Sequence, residues 1–173
     1  MDNVFLKNLA NKANFDGVVV FAAAMKQAQG GYLIQIELDD INHPLGAVTL
    51  EQCEQFSKSF IEVLDTAVSN GVDNSELPQS LTADNYSLEV SSAGAEREIR
   101  IPDELERFRG RALKIRYRTA DETIRVEHGI FDSLEEGSVQ FLGFKPKSQK
   151  KGKPDPFQLE LSNIEKINLY LDV

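Results

Sequence analysis

Helical and strand spacings of apolar residues are mixed before about residue 100, whereas only strand spacing follows it, and this difference limits the folds available to the chain. Upstream, the segment from Leu50 to Val68 repeats apolar residues at helical spacing. Downstream, from Leu113 onward, apolar and polar residues alternate with the period of half-buried strands. This order of elements predicts an α+β chain in which the last part consists of strands alone.

The first part is predicted to place helices on a three-stranded sheet. Thr49 and Gln52 have the spacing of a capping box, in which each side chain satisfies a backbone donor at a helix start. Residues 69–84 are rich in Ser, Asn, Asp and Gly and predict a loop. The predicted elements are a helix over 2–13, a strand over 18–25 buried on both faces, a hairpin strand over 32–38, a helix over 50–68 and a strand over 86–90.

The second part is predicted to form a small closed barrel, because several short strands follow one another with turn signals between them. The predicted strands span 113–118, 124–131, 138–144, 157–161 and 167–171. We therefore expect an N-terminal α+β domain over 1–98, a junction over 99–106 and a barrel domain over 107–173. Tyr117, Phe141 and Phe144 are expected to fill the core of the barrel.

The charge is distributed unevenly between these two parts. The formal net charge is −9, which argues against general binding to nucleic acid. Residues 1–98 carry 5 Lys/Arg and 15 Asp/Glu, whereas residues 99–173 carry 14 and 13. The sequence thus joins an acidic part to a nearly neutral part that holds most of the cations.

No segment predicts a membrane span. The longest apolar run, Val18 to Met25, has eight residues, whereas a membrane helix needs roughly 18. Its length also fits the core of a signal peptide, but acidic residues before the run favour a buried strand. Cys53 is the one cysteine, so an intrachain disulfide is impossible, and we expect a reducing, cytoplasmic location.

The sequence offers no recognisable catalytic, metal-binding or cofactor-binding motif. His43 and His128 lie in different parts of the chain. Adjacent strand residues point to opposite faces, so Asp39 and Asp40 are interpreted as a strand end entering a turn. Cys53 lies on the apolar stripe of the long helix and is interpreted as a small buried hydrophobe. We predict a protein that is not an enzyme.

Basic residues form two groups that are candidates for contact with phosphates. Lys114, Arg116 and Arg118 share one face of a predicted strand, and Arg109 precedes them. The second group lies in a turn-like segment, where a solvated loop tip is the alternative to phosphate contact. Its members are Lys145, Lys147, Lys150, Lys151 and Lys153.

The segment after the third predicted strand carries a family signature. A strand leading to Ser91-Ser92, then Gly94 and Arg97, resembles the signature of the ribosome maturation factor RimP family. Ala93 and Glu98 stand where that family has prolines. The resemblance extends over nearly the whole chain, through Leu88, Glu89 and Val90, through Cys53, Ser57, Leu64 and Asp65 on the long helix, through Phe108 and Gly110, and through 161–169.

The resemblance implies helices on a three-stranded sheet followed by an Sm-like, SH3-type barrel. It also implies a non-enzymatic cytoplasmic factor that binds the immature small ribosomal subunit near the decoding centre. The expected partner is the strongly basic twelfth protein of the small subunit, with small-subunit rRNA as a further partner. We expect a monomer.

The sequence leaves two alternatives open, one for the role of the signature residues and one for the function of the basic groups. Ser91, Ser92, Gly94 and Arg97 either stabilise the domain junction or contact a partner. Gly94 can take a backbone conformation that other residues avoid, and the serine hydroxyls can cap a turn. The alternative function is a free-standing Sm-like RNA-binding module that acts through the basic strand and the 145–153 loop.

Overall fold

The computed structural model describes residues 3–69, 77–94, 96–147 and 154–171. The chain divides into two compact units, Met1–Gly94 and Ala95–Val173. The first unit has helices on a three-stranded sheet, and the second has a six-stranded antiparallel sheet. The structure therefore confirms the α+β class.

The sheet of the first unit has a central strand with one antiparallel and one parallel neighbour. The strands lie in the order β1-β2-β3, with β1 and β2 forming a hairpin and β3 running parallel to β2. A parallel pair needs a long connection, and α2 lies within it. The bounds are α1 Val4–Ala10 with a 3-10 turn Asn11–Ala13, β1 Val18–Ala28, β2 Gly31–Asp40, α2 Leu50–Ser69 and β3 Tyr86–Ser92.

One face of this sheet forms the core with the two helices. Phe56 and Phe60 of α2 are fully buried, and their stacked rings lie 6.0 Å apart. On the sheet they meet alternate residues of β2, as expected where one face of a strand is covered. The members of this core with at most 1% exposure are Leu6, Ala10, Val18, Ala23, Ile34, Ile36, Leu38, Phe56, Phe60 and Leu64.

The prediction that the first strand is buried on both faces is wrong. A bulge at Phe21 shifts the register between Val20 and Ala22, so the inward residues are even-numbered before it and odd-numbered after it. Val18, Val20 and Ala23 are buried, whereas Ala22 and Ala24 are half-buried on the opposite face. The run is continuously apolar because the outer face of the strand also carries apolar residues, among them Ala22 and Ala24, which are only half-buried.

The second unit wraps six strands around a separate core. The order is β4-β9-β5-β6-β7-β8, and all neighbours are antiparallel. Within residues 96–147 and 154–171 no ladder joins β4 to β8, and the Sm-like subclass stays a prediction. The strands are β4 Glu98–Ile99, β5 Ala112–Arg118, β6 Ile124–Glu135, β7 Ser138–Gly143, β8 Phe157–Glu160 and β9 Ile164–Leu169.

Several predicted boundaries shift in this unit. The last strand covers Ile164–Leu169 instead of 167–171, because a 3-10 turn at Leu161–Asn163 ends just before it. The segment 99–106, expected to be a junction, contributes Ile99 and Leu105 to the core of the second unit. Phe144 does not join that core; its ring packs against Tyr170, with centroids 6.0 Å apart.

Part of the predicted loop over 69–84 also contributes to a core. Leu77 and Leu81 are buried in the first unit. Ser69 ends α2, and residues 70–76 lie outside the described residues.

The capping box of α2 provides a test of the first unit. Thr49 Oγ1 accepts a hydrogen bond from the Gln52 amide at 3.2 Å, and Gln52 Oε1 accepts one from the Thr49 amide at 2.9 Å. We expect Thr49→Ala to lower the free energy of unfolding by about 1 kcal/mol, since the Gln52 amide at the helix start loses its partner. Urea denaturation followed by circular dichroism measures the change.

Thr66→Ala is the matched control, because it makes the same chemical change at an exposed position inside the same helix. Alanine is the better helix former there, so this variant should be neutral or slightly stabilising. Equal destabilisation by both substitutions would contradict the capping role.

Candidate functional site

The serine–glycine segment closes β3 with a side-chain cap. Ser92 Oγ accepts hydrogen bonds from the Val48 amide at 3.3 Å and from the Gly94 amide at 3.5 Å. Gly94 has a φ of 88°, in the left-handed region that favours glycine. Ser91 instead lies exposed beside Glu37 of the neighbouring strand. Ser92 and Gly94 thus shape the turn, whereas Ser91 presents its hydroxyl to the open face of the sheet.

Arg97 is the buried centre of a charged cluster in the second unit. Its guanidinium donates two hydrogen bonds to the Glu104 carboxylate, at 3.0 and 2.9 Å, and lies over the Phe108 ring, 5.0 Å from its centroid. The Arg97 side chain is only 1% exposed. Direct contact of this side chain with a partner is therefore blocked in this structure.

The pairing also sets the ionisation of Glu104. Burial raises the pKa of Glu104, but hydrogen bonds from Arg97 and from the Arg100 amide outweigh it and hold the pKa below its ordinary value. The backbone of Arg97 adds a further link, since its carbonyl accepts the Leu169 amide at 3.0 Å. The cluster therefore ties the start of the second unit to its last strand.

The basic strand has the predicted geometry, but most of its charge is compensated. Lys114, Arg116 and Arg118 are all exposed at alternate positions of β5. Glu165 accepts from Arg116 at 2.9 Å and from Arg118 at 2.8 Å, and Glu122 pairs with Arg118. The hydrogen bond from Arg118, followed by that from Arg116, lowers the pKa of Glu165.

Lys114 differs from the two arginines of the same strand. Among the described residues its side chain has no hydrogen bond or ion pair. Its cross-strand neighbour is His128, whose ring packs edge-on against Tyr170, with centroids 4.5 Å apart. The sequence did not predict this group of rings, because its members are His128 of β6, Phe144 just after β7 and Tyr170 just after β9.

The remaining basic candidates are only partly described. Arg109 pairs with Glu106 at 2.8 Å, lies over the Phe131 ring at 4.9 Å and donates to the Asp132 carbonyl. Lys145 is half-buried and Lys147 is exposed. Lys150, Lys151 and Lys153 lie outside the described residues.

The first sheet has an open face that the sequence reasoning missed. A cavity of about 410 Å³ lies on this face, with Ala22 and Ala24 as its apolar part and Glu37 and Glu89 as its acidic part. Gln35 bridges the three strands, accepting from Lys26 at 2.8 Å and donating to Glu89 at 2.8 Å. The face therefore combines small apolar side chains with carboxylates.

Comparison with known proteins decides the family. The sequence model of the RimP N-terminal domain matches residues 6–96. The chain is 32% identical over 157 residues to a protein named ribosome maturation factor RimP from Leptospira interrogans, covering 90% of this chain and 88% of the relative. The chain belongs to the RimP family. A Leptospira biflexa relative of the same name is 28% identical over 163 residues, with the same coverage of both chains.

Membership of the RimP family confirms the resemblance that the signature indicated. Within the described residues of this family member, no three or more His, Cys, Asp or Glu side chains are grouped so as to hold a metal ion. Cys53 is buried in α2, and burial raises the pKa of its thiol. His43 Nδ1 accepts from the Leu45 and Ala47 amides and so shapes a turn. No helix in the described part of the chain has the length and apolar character of a membrane span.

The Arg97–Glu104 cluster can be tested by removing the arginine. We expect Arg97→Ala to lower the free energy of unfolding of the second unit by about 3–5 kcal/mol, because Glu104 keeps its charge in a partly buried site without its partner. Thermal unfolding of the full chain, followed by tyrosine fluorescence, measures the loss.

Arg125→Ala serves as the control, since Arg125 is an exposed arginine of β6 in the same unit. Its loss should change stability by less than about 0.5 kcal/mol. If Arg97→Ala is no more destabilising than Arg125→Ala, the structural role of the cluster is wrong.

Proposed function

We propose that this RimP family member is a non-catalytic, cytoplasmic factor that binds the immature small ribosomal subunit and promotes its maturation. Family membership supports the role, since the relatives named ribosome maturation factor RimP match about 90% of the chain. The single observation that carries the mode of binding is the excess of ten negative charges in residues 1–98, where 15 Asp/Glu face 5 Lys/Arg. Such a surface attracts a cationic protein and repels bare RNA.

The proposed partner is a strongly basic small-subunit protein, the twelfth, near the decoding centre. The open face of the first sheet supports this choice, because the exposed carboxylates Glu37 and Glu89 flank small apolar side chains. Lysine and arginine side chains combine an aliphatic stem with a charged head, and both parts find a counterpart on such a face. Small-subunit rRNA is a secondary contact of the second unit, which holds most of the cations.

Cosedimentation tests the proposal. The purified chain should sediment with immature small subunits and not with finished ones, and binding should weaken as salt rises toward about 1 M, where the Debye length falls to about 3 Å. Sucrose-gradient fractions probed for the tagged chain measure this. Equal association with both kinds of subunit, or with neither, would contradict the proposal.

A second candidate function is an Sm-like RNA-binding module in the second unit. One observation favours it: Lys114 lies beside the aromatic pair His128 and Tyr170, and Phe144 packs against the same tyrosine. Aromatic rings next to a cation are the usual components of a site for single-stranded RNA. In the same unit Arg116 and Arg118 are already paired with carboxylates, so fewer cations are available to bind phosphate than the sequence implies.

Lys114→Gln separates this candidate from the first. If the second unit binds RNA on its own, the variant should weaken retention of a single-stranded oligonucleotide several-fold in a filter assay. Arg116→Gln, one position along the same face, should change it less, because Glu165 already neutralises Arg116. If the wild type and Lys114→Gln retain the oligonucleotide equally, Lys114 does not contribute to RNA binding and this candidate function is contradicted.

A further inference from the structure

The two edges of the first sheet are protected to different degrees. On the β1 edge, the Asn3 amide donates to the Ala23 carbonyl at 2.7 Å and Lys7 Nζ donates to the Phe21 carbonyl at 2.6 Å. The bulge at Phe21 further disrupts this edge. Covering segments, lysines and bulges are the devices by which proteins prevent unwanted strand pairing. The β1 edge is therefore closed to another strand.

Within the part of the chain that the structure describes, the β3 edge has none of these devices over Tyr86–Ser92. That strand contains no Lys, Pro or Gly, and its register with β2 runs without a bulge. Among the described residues, β3 pairs only with β2. At the end of the strand the Ser92 hydroxyl accepts the Val48 amide, so the open stretch lies before it.

The hydrogen bonds at both ends of β3 show which backbone groups face outward. The Asn85 carbonyl accepts from the Tyr32 amide, and the Ala93 amide donates to the Leu38 carbonyl. Strand residues alternate in direction, so the odd-numbered residues of β3 bond to β2. The amides and carbonyls of Leu88 and Val90 consequently point away from the sheet.

The same two residues have incompletely buried side chains. Leu88 and Val90 lie on the inner face and pack against the core, but both are only half-buried. Their neighbours in β2, Ile34 and Ile36, are fully buried. An added strand would cover the exposed apolar parts of Leu88 and Val90 and satisfy their backbone groups at once.

The charges next to this edge favour a basic occupant. Glu89 lies exposed at the middle of β3, and Glu37 lies exposed on the same open face in β2. A lysine or arginine across from Glu89 forms a favourable cross-strand pair. A second copy of this chain is disfavoured as the occupant, because it would bring together two first units with the same excess of negative charge.

We propose that β3 accepts an extended basic polypeptide segment by strand addition, with apolar side chains over Leu88 and Val90 and cations beside Glu89 and Glu37. Main-chain hydrogen bonds supply affinity in this mode, and the alternating side chains supply selectivity. The inference rests on the proposed function for the source of the segment, a basic ribosomal protein, but the surface can be tested by itself.

Amide exchange on the full chain, measured by NMR, tests the surface with a synthetic Lys-Val-Lys-Val-Lys-Val-Lys peptide as the probe. In the free protein the Leu88 and Val90 amides should exchange fast, while the Ser87 and Glu89 amides are protected by β2. Saturating peptide should slow exchange at Leu88 and Val90 at least about tenfold. Unchanged exchange at both amides would overturn the proposal, as would equal protection by the matching Glu-Val peptide.

Two variants separate backbone pairing from charge. Val90→Pro removes an outward amide at an edge position where proline is tolerated, and should abolish the protection of Leu88. Glu89→Lys should weaken peptide binding at least about tenfold. The control Glu62→Lys, at an exposed position of α2, makes the same charge change and should weaken it less than about twofold. Equal loss with both lysine variants would overturn the site.

Cosedimentation of the same proteins distinguishes this inference from the proposed function. Wild type that binds immature subunits, together with a folded Val90→Pro protein that does not, supports both. Binding of the two proteins at equal strength overturns strand addition and leaves the proposed function standing. Peptide-dependent protection of Leu88 and Val90 without any subunit binding supports the surface and overturns the proposed function.

Discussion

The covering of only one sheet face by the helices is the constraint on which the first unit depends. Phe56, Phe60 and Leu64 of α2 are fully buried in a single core with alternate residues of β2. The opposite face carries small and charged side chains, among them Ala22, Ala24, Glu37 and Glu89. The open cavity and the exposed carboxylates both follow from this arrangement.

In the second unit, carboxylates pair with the arginines and allow several cations to lie close together. Arg97 is neutralised by Glu104 in a buried site, and Arg116 and Arg118 share Glu165 on the surface. Each of the two carboxylates lies beside two arginines, Glu104 beside Arg97 and Arg107 and Glu165 beside Arg116 and Arg118, and so lowers the repulsion between them. The near-zero net charge of this part of the chain therefore reflects direct pairing of individual arginines with carboxylates that contact them.

Local patterns in the sequence predict the elements well where a single element contains the whole signal. Thr49 and Gln52 predict the start of α2 because the two partners of the capping box are only three residues apart, so the signal lies within one short segment. Alternation predicts β5 for the same reason. The signature Ser91-Ser92, Gly94 and Arg97 indicated the family, which the comparisons with known proteins then confirmed.

Features that depend on distant residues could not be predicted. Which face of β1 is covered depends on the helices that pack against the sheet, so the apolar run looked buried on both faces. Arg116 looked free for phosphate because Glu165 follows it by 49 residues. Phe144 looked like a core residue because Tyr170, its actual neighbour, comes from the residue after β9.

The Glu165 carboxylate, which Arg116 and Arg118 share, weakens the attraction of the basic strand for other anions such as phosphate. A phosphate that approaches Arg116 and Arg118 must compete with two charge-assisted hydrogen bonds that already exist. Since the pKa of Glu165 lies below its ordinary value, the carboxylate stays ionised and keeps this position at neutral pH. The two arginines thus form an anion site that the protein's own Glu165 carboxylate already fills.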